Sequence, residues 1–278
     1  MTTQIDKARA FQALHQQAGA FIIPNPWDQG SARLLELLGF KALATTSAGY
    51  AFSLAKPDNQ VGREQMMRHL RELTSATDLP VSADLENGFG DAPGFIAETI
   101  LQAADCGVVG ASIEDGTGQA DRPLYAIEAA AERIRAAVEA ARSLPFAFTL
   151  TARAENYLVG QADLKDTIKR LQAYQEAGAD VLYAPGLKTL DDIAAVVSSV
   201  DRPVNVVMGM ADVKLTLAEL AAVGVKRVSV GGSLARLALG ALMKAAEELR
   251  DHGTFNYGVH TLPTQQINAL FSTDRAAS

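Results

Sequence analysis

Acidic side chains follow two short apolar segments of the chain. Asp84 and Glu86 come after the segment that begins at Pro80, and Glu114 comes after the segment that begins at Gly110. Carboxylates gathered in one place repel one another unless a cation offsets their charge, and Mg²⁺ prefers such hard oxygen ligands. The sequence therefore predicts a magnesium site formed by Asp84, Glu86 and Glu114, which would also accept Mn²⁺.

A zinc site is not favoured by the same evidence. The single cysteine is Cys106, and the histidines His15, His69, His252 and His260 all lie away from the acidic segments. Zinc sites use mainly His and Cys ligands. The alternative for each acid is that it caps the helix that follows it, as Asp commonly does. We favour the metal because several acids and an arginine recur at neighbouring segment ends.

The arginine is Arg153, which ends a further apolar segment at 147–152. A guanidinium group there can clamp a substrate carboxylate through two parallel hydrogen bonds. The alternative is an ion pair with Glu155 or Glu114, and the two arrangements can coexist. We predict that Arg153 contacts the substrate.

The small residues Ser47, Ala48 and Gly49 offer backbone N–H groups and a hydroxyl to an anion, although such a turn is weak evidence alone. Trp27 and Tyr50 also follow segment ends and are predicted to be walls of the substrate pocket rather than catalysts. Two asparagines complete the predicted substrate-binding set, which is Trp27, Ser47, Ala48, Gly49, Tyr50, Asp84, Arg153, Asn156 and Asn205.

Eight short apolar segments alternate with stretches of helical periodicity along the chain. Strands that alternate with helices form a parallel sheet, and eight such units close into a (β/α)₈ barrel of about 250 residues. An open doubly wound sheet is the alternative. The active site of such a barrel lies at the C-terminal ends of the strands, where the acids and Arg153 fall. The predicted strands lie near 21–24, 41–46, 80–84, 110–114, 147–152, 180–184, 204–208 and 227–231.

Both ends of the chain extend beyond the predicted barrel. We predict one domain at 1–278 with a barrel core at about 20–250, preceded by a helix at 6–18. The tail at 252–278 is predicted to form a loop and a short helix. A minimal barrel needs no such tail, so we expect it to form a contact between subunits of a homo-oligomer, a dimer or a tetramer.

Composition excludes several kinds of partner. The formal net charge of the 278 residues is −7, which opposes nucleic-acid binding. No apolar run reaches the roughly 18 residues of a membrane span, and the N-terminus lacks the pattern of a signal peptide. One cysteine rules out an internal disulfide and suits a reducing compartment. We therefore expect a cytoplasmic protein.

Four segments together resemble the isocitrate lyase/phosphoenolpyruvate mutase superfamily, and the match runs over roughly residues 9–245. An acidic motif precedes a Gly-Phe-Gly turn, Glu-Asp ends the fourth strand, Ala-Arg-Ala-Glu ends the fifth, and a serine precedes small residues after the second. Each motif is modest evidence, but their order and spacing along a whole barrel are specific. The segments are 84–90, 112–115, 151–155 and 46–49.

The resemblance implies a mechanism and roles for residues. Members of the superfamily chelate a 2-oxo acid to Mg²⁺, which polarises the oxo group and stabilises an enolate as a bond at C3 breaks. By this resemblance Asp84 binds the metal directly, while Asp58, Glu86 and Glu114 act through metal-bound waters. Arg153 holds the substrate, so the predicted catalytic set is Asp58, Glu114 and Arg153. Members also commonly form tetramers that exchange C-terminal helices, and the long tail is compatible with this.

One loop departs from the family pattern. Isocitrate and methylisocitrate lyases carry a catalytic Cys within a Lys- and His-containing motif after the Glu-Asp, and the phosphonate enzymes carry a Lys. The corresponding residues 116–123 contain no Cys, Lys or His. We therefore favour decarboxylation of an oxaloacetate-like acid or another carbon–carbon cleavage of a small 2-oxo or 2-hydroxy carboxylate. The alternatives are phosphorus–carbon chemistry on phosphonopyruvate and a barrel that binds a 2-oxo acid without chemistry.

Overall fold

The computed structural model describes residues 2–272 and has eight parallel strands that form a nearly closed barrel. This confirms the predicted (β/α)₈ fold class, and each strand falls within or next to its predicted segment. The second strand is the largest difference, since only two of its residues pair. The strands are β1 Phe21–Ile23, β2 Leu43–Ala44, β3 Val81–Asp84, β4 Gly110–Glu114, β5 Thr149–Arg153, β6 Val181–Tyr183, β7 Val204–Val207 and β8 Arg227–Ser229.

The barrel closes between β1 and β2, the two ends of the paired order β1-β8-β7-β6-β5-β4-β3-β2. The Ala44 N–H donates to the Pro24 carbonyl at 3.1 Å, and the Asn25 side chain donates to the Thr45 carbonyl at 2.9 Å. The Asn25 side-chain oxygen also accepts the backbone N–H groups of Val230 and Gly231, each at 2.9 Å. One asparagine therefore joins the C-terminal ends of β1, β2 and β8.

Helices surround this barrel. Gly107 and Gly178 each lie just after a helix and have a left-handed φ, of +92° and +102°, which is the conformation that commonly ends a helix. The helices are α1 Gln4–Gln16, α2 Gln29–Leu37, α3 Ser47–Ser53, α4 Arg63–Ser75, α5 Pro93–Asp105, α6 Ile127–Arg142, α7 Leu164–Glu176, α8 Leu190–Ser198, α9 Leu217–Ala222, α10 Ser233–His252 and α11 Thr264–Ser272.

Alternation along β5 shows how the strands position polar groups. Leu150 and Ala152 are fully buried in the apolar core between barrel and helices. Thr151 and Arg153 point to the opposite side, the barrel interior, because successive strand residues face opposite ways. Because side chains alternate in this way along every strand, the inward-facing polar residues of neighbouring strands lie at the same height in the barrel.

Helix α1 covers the N-terminal end of the barrel, and the predicted helix at 6–18 is confirmed two residues earlier, at Gln4–Gln16. Phe11 is fully buried in a cluster with Phe21, Ile23 and Val109. The His15 ring meets the rings of Phe11 and Phe21 edge-on at 4.8 and 5.1 Å. Apolar packing therefore closes this end, opposite the predicted active site.

The C-terminal tail forms a 3₁₀ turn at Asn256–His260 followed by α11, which agrees with the predicted loop and short helix. The end of the predicted tail, residues 273–278, lies outside the described residues. Helix α10 has 20 residues, of which only Ala235 is buried. None of the described helices combines the length and apolar character needed to cross a membrane.

Candidate active site

Two connected chambers open at the C-terminal ends of the strands. The inner chamber, with a volume of about 250 Å³, lies inside the barrel. The outer chamber, of about 410 Å³, lies under residues 116–123. Ser47, Asp58, Leu158 and Arg153 contribute to the walls of both chambers. The strand ends therefore meet at a cavity large enough for a small organic acid.

Asp84 is held from two sides at the rim of the inner chamber. The Ser47 backbone N–H and hydroxyl donate to Asp84 Oδ2 at 3.0 and 2.9 Å, and Arg153 donates to Oδ1 at 2.9 Å. The Asp84 N–H donates to the Thr45 hydroxyl at 2.8 Å. Ser47 also donates to Asp58 at 3.4 Å. The serine loop predicted to bind an anion thus binds an acidic side chain of the protein itself.

Arg153 contacts three carboxylates from three strand ends. Its guanidinium lies 2.9 Å from Asp84, 3.1 Å from Glu114 and 3.0 Å from Glu155. The Tyr183 ring lies beneath it, 5.1 Å from the guanidinium carbon. The ion pairs with Glu114 and Glu155 that the sequence offered as an alternative are therefore formed, together with a third one to Asp84.

Acidic side chains outnumber basic side chains at this place. We call Asp58, Asp84, Glu86, Glu114, Glu155 and Arg153 the mouth cluster, which holds five carboxylates around one guanidinium. Burial, followed by repulsion from Asp84 and Asp58, raises the pKa of Glu86 to about 8. Burial also raises the pKa of Glu114 well above its usual range, although Arg153 opposes the shift. Partial desolvation and repulsion from Asp84 raise the pKa of Asp58.

The mouth cluster fits a hard divalent cation. Among the described residues no three His, Cys, Asp or Glu side chains already converge as metal ligands. Arg153 instead occupies the centre and partly neutralises the acids. One carboxylate oxygen of Glu86 is buried without a hydrogen-bond partner, although such atoms usually have one. An unpartnered buried oxygen within an excess of carboxylates matches the oxygen donors that Mg²⁺ binds.

A turn after β3 gives Glu86 its position. Glu86 and Phe89 have left-handed φ angles of +50° and +64°, which non-glycine residues seldom adopt. Arg133 from α6 donates to the Asn87 and Gly90 carbonyl oxygens and stacks on the Tyr125 ring at 4.0 Å. This buried arginine stabilises a strained turn that places Glu86 beside Asp84.

Asp115 supports the opposite side of the cluster. Its carboxylate accepts the Glu155 backbone N–H at 2.8 Å, Arg170 at 3.0 Å and the Tyr174 hydroxyl at 2.5 Å. Because Glu155 in turn binds Arg153, this network fixes where the guanidinium lies. Asp115 is therefore a positioning residue.

Several predicted substrate-binding residues lie away from both chambers. Tyr50 stacks on His69 at 3.8 Å, outside the barrel. Trp27 and Gly49 border a separate small pocket against α10. Asn156 is buried and donates to Asp166. Glu86 is buried next to the chambers rather than on their walls, whereas Asp84, Glu114, Arg153, Ser47, Ala48, Asp58 and Asn205 line a chamber.

Sequence reasoning named Asn205 on the polar floor of the inner chamber but missed Arg227, Thr151 and Ser229. Arg227 on β8 points into the barrel, where Nε donates to Asn205 at 2.9 Å and Nη2 donates to the Thr151 hydroxyl at 2.9 Å. Ser229 accepts from Asn205 at 3.0 Å. One signal in the sequence could have identified Arg227. It is a charged residue in a predicted strand, and the strand Arg227–Ser229 is buried throughout.

Comparison with known proteins identifies the class of this barrel. Residues 11–250 match the family model described as phosphoenolpyruvate phosphomutase. The chain therefore belongs to the phosphoenolpyruvate phosphomutase family, within the superfamily that its motifs resemble. The expectation of an enzyme, a lyase of the isocitrate lyase/phosphoenolpyruvate mutase superfamily, is confirmed.

Two curated relatives cover nearly the whole chain. The 2-methylisocitrate lyase of Escherichia coli is 29% identical over 279 residues, covering 95% of this chain and 91% of that protein. The oxaloacetate decarboxylase of Chromohalobacter salexigens is 27% identical over 270 residues, covering 95% of this chain and 92% of that protein. Both relatives are enzymes of small carboxylic acids by name.

Two solved structures are also similar. A crystal structure from Burkholderia cenocepacia J2315, provisionally named a lyase or mutase, is 63% identical with a TM-score of 0.95, covering 96% of this chain and 97% of that chain. A phosphonopyruvate hydrolase complex with oxalate and Mg²⁺ is 27% identical with a TM-score of 0.84, covering 95% of this chain and 94% of that chain.

Proposed function

We propose that this protein is a Mg²⁺-dependent enzyme that breaks a carbon–carbon bond in a small 2-oxo or 2-hydroxy di- or tricarboxylate, such as oxaloacetate or a methylisocitrate-like acid. The mouth cluster is the observation that carries the proposal. Its five carboxylates surround one guanidinium at the edge of a chamber of about 250 Å³. A divalent cation offsets that negative charge and attracts an acidic substrate.

Asp84, Glu86 and Glu114, with Asp58 beside them, are the residues that would hold the cation. Asp84 is the proposed direct ligand because it borders the inner chamber, while Glu86 has the unpartnered oxygen. When bound, Mg²⁺ polarises the 2-oxo group of a chelated acid and stabilises the negative charge that develops on it. Mn²⁺ prefers the same ligands and is an acceptable substitute.

The protein's own groups orient the acid and stabilise charge. Ser47 holds Asp84 through two hydrogen bonds, so this carboxylate stays at the rim. Arg153 is buried behind the acids and supplies a fixed positive charge toward the substrate, in a position where water is largely excluded. Such preorganised charge stabilises a developing anion more strongly than bulk water does.

The outer chamber supports cleavage without a proton donor from the loop. Its walls include Gly116, Gly118, Gln119 and Pro123, and no Cys, Lys or His from the described residues contributes to them. Decarboxylation needs stabilisation of the enolate and no acid from this loop. This composition favours a decarboxylase or a related lyase over an enzyme that relies on a loop cysteine.

Product formation from defined acids tests the proposal. Pyruvate release would be measured from oxaloacetate and from a methylisocitrate-like acid, with Mg²⁺ and with excess EDTA. We expect turnover of at least one acid that depends on the metal. A protein that binds Mg²⁺ and oxalate yet turns over neither acid contradicts the proposed carbon–carbon cleavage.

Phosphorus–carbon chemistry is the second candidate, favoured by the match to the phosphomutase family and by the similar phosphonopyruvate hydrolase structure. Phosphonopyruvate tested beside oxaloacetate separates the two reactions. A third candidate of another class is a barrel that binds a 2-oxo acid without chemistry. Tight binding by calorimetry without turnover of any tested acid would support that candidate.

We also propose that the protein is a cytoplasmic homo-oligomer, a dimer or tetramer. Helix α10 exposes Leu237, Leu242 and Met243 by 70%, 63% and 62%, and Phe255 in the tail by 71%. Large apolar surfaces of this kind usually contact another protein. Light scattering on the wild type and on the Leu237→Glu/Leu242→Glu double variant tests this, and a monomeric wild type contradicts it.

A further inference from the structure

Arg227 is a buried cation that no carboxylate of residues 2–272 pairs with. The residue is 5% exposed, and no ion pair links it to any Asp or Glu in the part of the chain that the structure describes. Its partners are neutral: Asn205, Thr151 and, at 3.4 Å, the ring nitrogen Nε2 of His15. Arginine is almost never fully buried without a paired charge, because unpaired burial is costly.

The side chain has hydrogen-bonding capacity left. A guanidinium carries five N–H donors, and the three contacts use three of them. The tautomer of His15 is consistent with a neutral acceptor, because Nδ1 lies 2.9 Å from the Phe11 carbonyl and can donate to it. Burial lowers the pKa of Arg227 to about 10, which still leaves it charged at neutral pH.

The inner chamber reaches this arginine. Its walls run from Ser47 and Asp84 at the mouth to Asn205, Ser229 and Arg227 at depth. Serines from β3 and β4, Ser82 and Ser112, also line it. The interior of a (β/α)₈ barrel is usually filled by branched apolar side chains. The wall of this chamber is mainly apolar, but it carries serines and an asparagine and ends on a positive charge, so its floor is suited to an anion.

The distance from mouth to floor suits a short dicarboxylate. Arg153 belongs to the mouth cluster, and Thr151, two residues earlier on β5, contacts Arg227. Two residues of a strand span roughly 6.6 Å. That span is of the order of a chain of four or five carbons with an acid group at each end.

We propose that the floor formed by Arg227, Asn205 and Thr151 binds the distal carboxylate of the substrate and makes the enzyme specific for dicarboxylates. This inference rests on the proposed function, which places the other end of the acid at the mouth. Arg227 is thus a specificity-determining residue. Charge complementarity carries the assignment, since the mouth supplies three carboxylates to Arg153 and the floor supplies none to Arg227.

The floor also bears on which bond breaks. Loss of a carboxylate as CO₂ passes its bonding electrons to the remaining carbon skeleton, so the anion must leave its guanidinium. An aldol-type cleavage leaves the distal carboxylate unchanged on its fragment. Binding at Arg227 stabilises that carboxylate as an anion, so loss of CO₂ from oxaloacetate requires the distal carboxylate to be released from Arg227, whereas the related carbon–carbon lyase reaction leaves it bound.

Matched ligand pairs test the inference. Calorimetry at saturating Mg²⁺ would compare malate with 2-hydroxybutyrate, and 2-oxoglutarate with 2-oxopentanoate; each pair differs by one distal carboxylate. We expect the wild type to prefer at least one diacid by about 10-fold or more, as a charged hydrogen-bonded contact predicts. Arg227→Met should abolish the preference and leave the affinity for Mg²⁺ with oxalate, which lacks a distal group, within about 2-fold.

A second variant guards against a change in folding. Asn205→Asp is nearly isosteric and gives Arg227 an internal carboxylate, so it should also abolish the preference. His15→Leu removes the contact from α1 without altering the chamber wall and should retain the preference. Retention of the preference in both Arg227→Met and Asn205→Asp overturns the inference, as does an equal loss of oxalate affinity, which indicates a structural role.

Binding of oxalate distinguishes a failure of the proposed function from a failure of this inference. If the wild type does not bind oxalate with Mg²⁺, both the mouth site and this inference are wrong. If oxalate binds but neither diacid is preferred, only the assignment of the floor is wrong.

Discussion

Two buried arginines at different depths of one barrel have opposite surroundings. Arg153 at the mouth contacts Asp84, Glu114 and Glu155 within 3.1 Å. Among the described residues, Arg227 at the floor contacts only neutral acceptors. Acidic groups outnumber basic groups at the mouth, whereas the floor has one guanidinium and no carboxyl group within the described part of the chain. The first environment suits a cation and the second suits an anion.

This difference indicates an order of binding. The five acids of the mouth cluster repel an acidic substrate in their ionised forms, and a cation both favours those forms and offsets their charge. Once the cation is present, a dicarboxylate meets positive charge at both ends. We therefore expect the metal to bind before the acid.

The largest effect should come from Asp84→Ala. Asp84 lies between Ser47 and Arg153 at the chamber rim, and its loss removes the proposed direct ligand. Metal-dependent turnover should fall by about 10³-fold, the scale of several kcal/mol supplied by a catalytic cation. Steady-state kinetics with a Mg²⁺ titration measures this. The control is Asp212→Ala, which removes an exposed ion pair with Lys188 and should leave turnover unchanged. If Asp84→Ala keeps both its turnover and its dependence on Mg²⁺, Asp84 is not the metal ligand.

Replacement of the two arginines should lower the free energy of unfolding by different amounts. Arg153→Met leaves three buried carboxylates without their cation and should lower the free energy of unfolding by about 3–5 kcal/mol. Arg227→Met leaves no carboxylate of the described residues unpaired, and it removes a costly unpaired charge together with its hydrogen bonds, so the free energy of unfolding should fall by no more than about 1–2 kcal/mol. Urea unfolding of both variants without metal measures the difference. Equal losses would mean that the two environments do not differ as described.

The stabilisation of the protein by Mg²⁺ should depend on the mouth cluster and not on the floor. Mg²⁺ at 100 times its dissociation constant should stabilise the wild type by about 2.7 kcal/mol relative to an EDTA-treated sample. The same increase is expected for Arg227→Met and is expected to be absent for Asp84→Ala. Thermal unfolding with and without Mg²⁺ is the measurement, and equal stabilisation of Asp84→Ala is the contrary outcome.

Acid should lower the free energy of unfolding through the protonation of His15. Burial, together with the charges of Arg227 and Lys226, lowers the pKa of His15 from 6.5 to about 3. Between these values the unfolded chain binds a proton that the folded protein does not, so stability falls as pH falls. The loss at pH 5 is about 2 kcal/mol.

His15→Leu isolates this contribution. His69, whose pKa burial lowers to about 4, adds a loss of the same sign that the variant retains. Urea unfolding at pH 5 and pH 7 should therefore show a smaller pH dependence for His15→Leu than for the wild type. An identical dependence would show that His15 is not buried as a neutral ring beside Arg227.

The fold was predictable because eight short apolar segments alternate with helical stretches, and seven of these segments follow a Gly or Pro that ends the preceding helix. That the acids and Arg153 lie close together was also predictable, since residues at the C-terminal ends of parallel strands share one edge; their roles stay a prediction. Tyr50, Trp27 and Asn156 were not, because position after a strand does not decide whether a side chain points inward. Tyr50 packs on His69, and Asn156 donates to Asp166.

The floor needed three-dimensional information. Arg227, Asn205 and Thr151 are far apart in sequence and belong to three strands. Only the register of the barrel brings them to one level, through the pairing of Asn205 with Arg227 and the inward direction of Thr151. An arginine in a buried strand was visible in the sequence, but its lack of a carboxylate partner was not.

A crystal structure of the wild type with Mg²⁺ and malate tests the central claim most directly. We predict a cation bound to Asp84, with the 2-hydroxy acid end of malate beside Ser47 and Arg153 and the far carboxylate on Arg227. A cation bound elsewhere, with Asp84 and Glu114 still engaged only by Arg153, would contradict the claim.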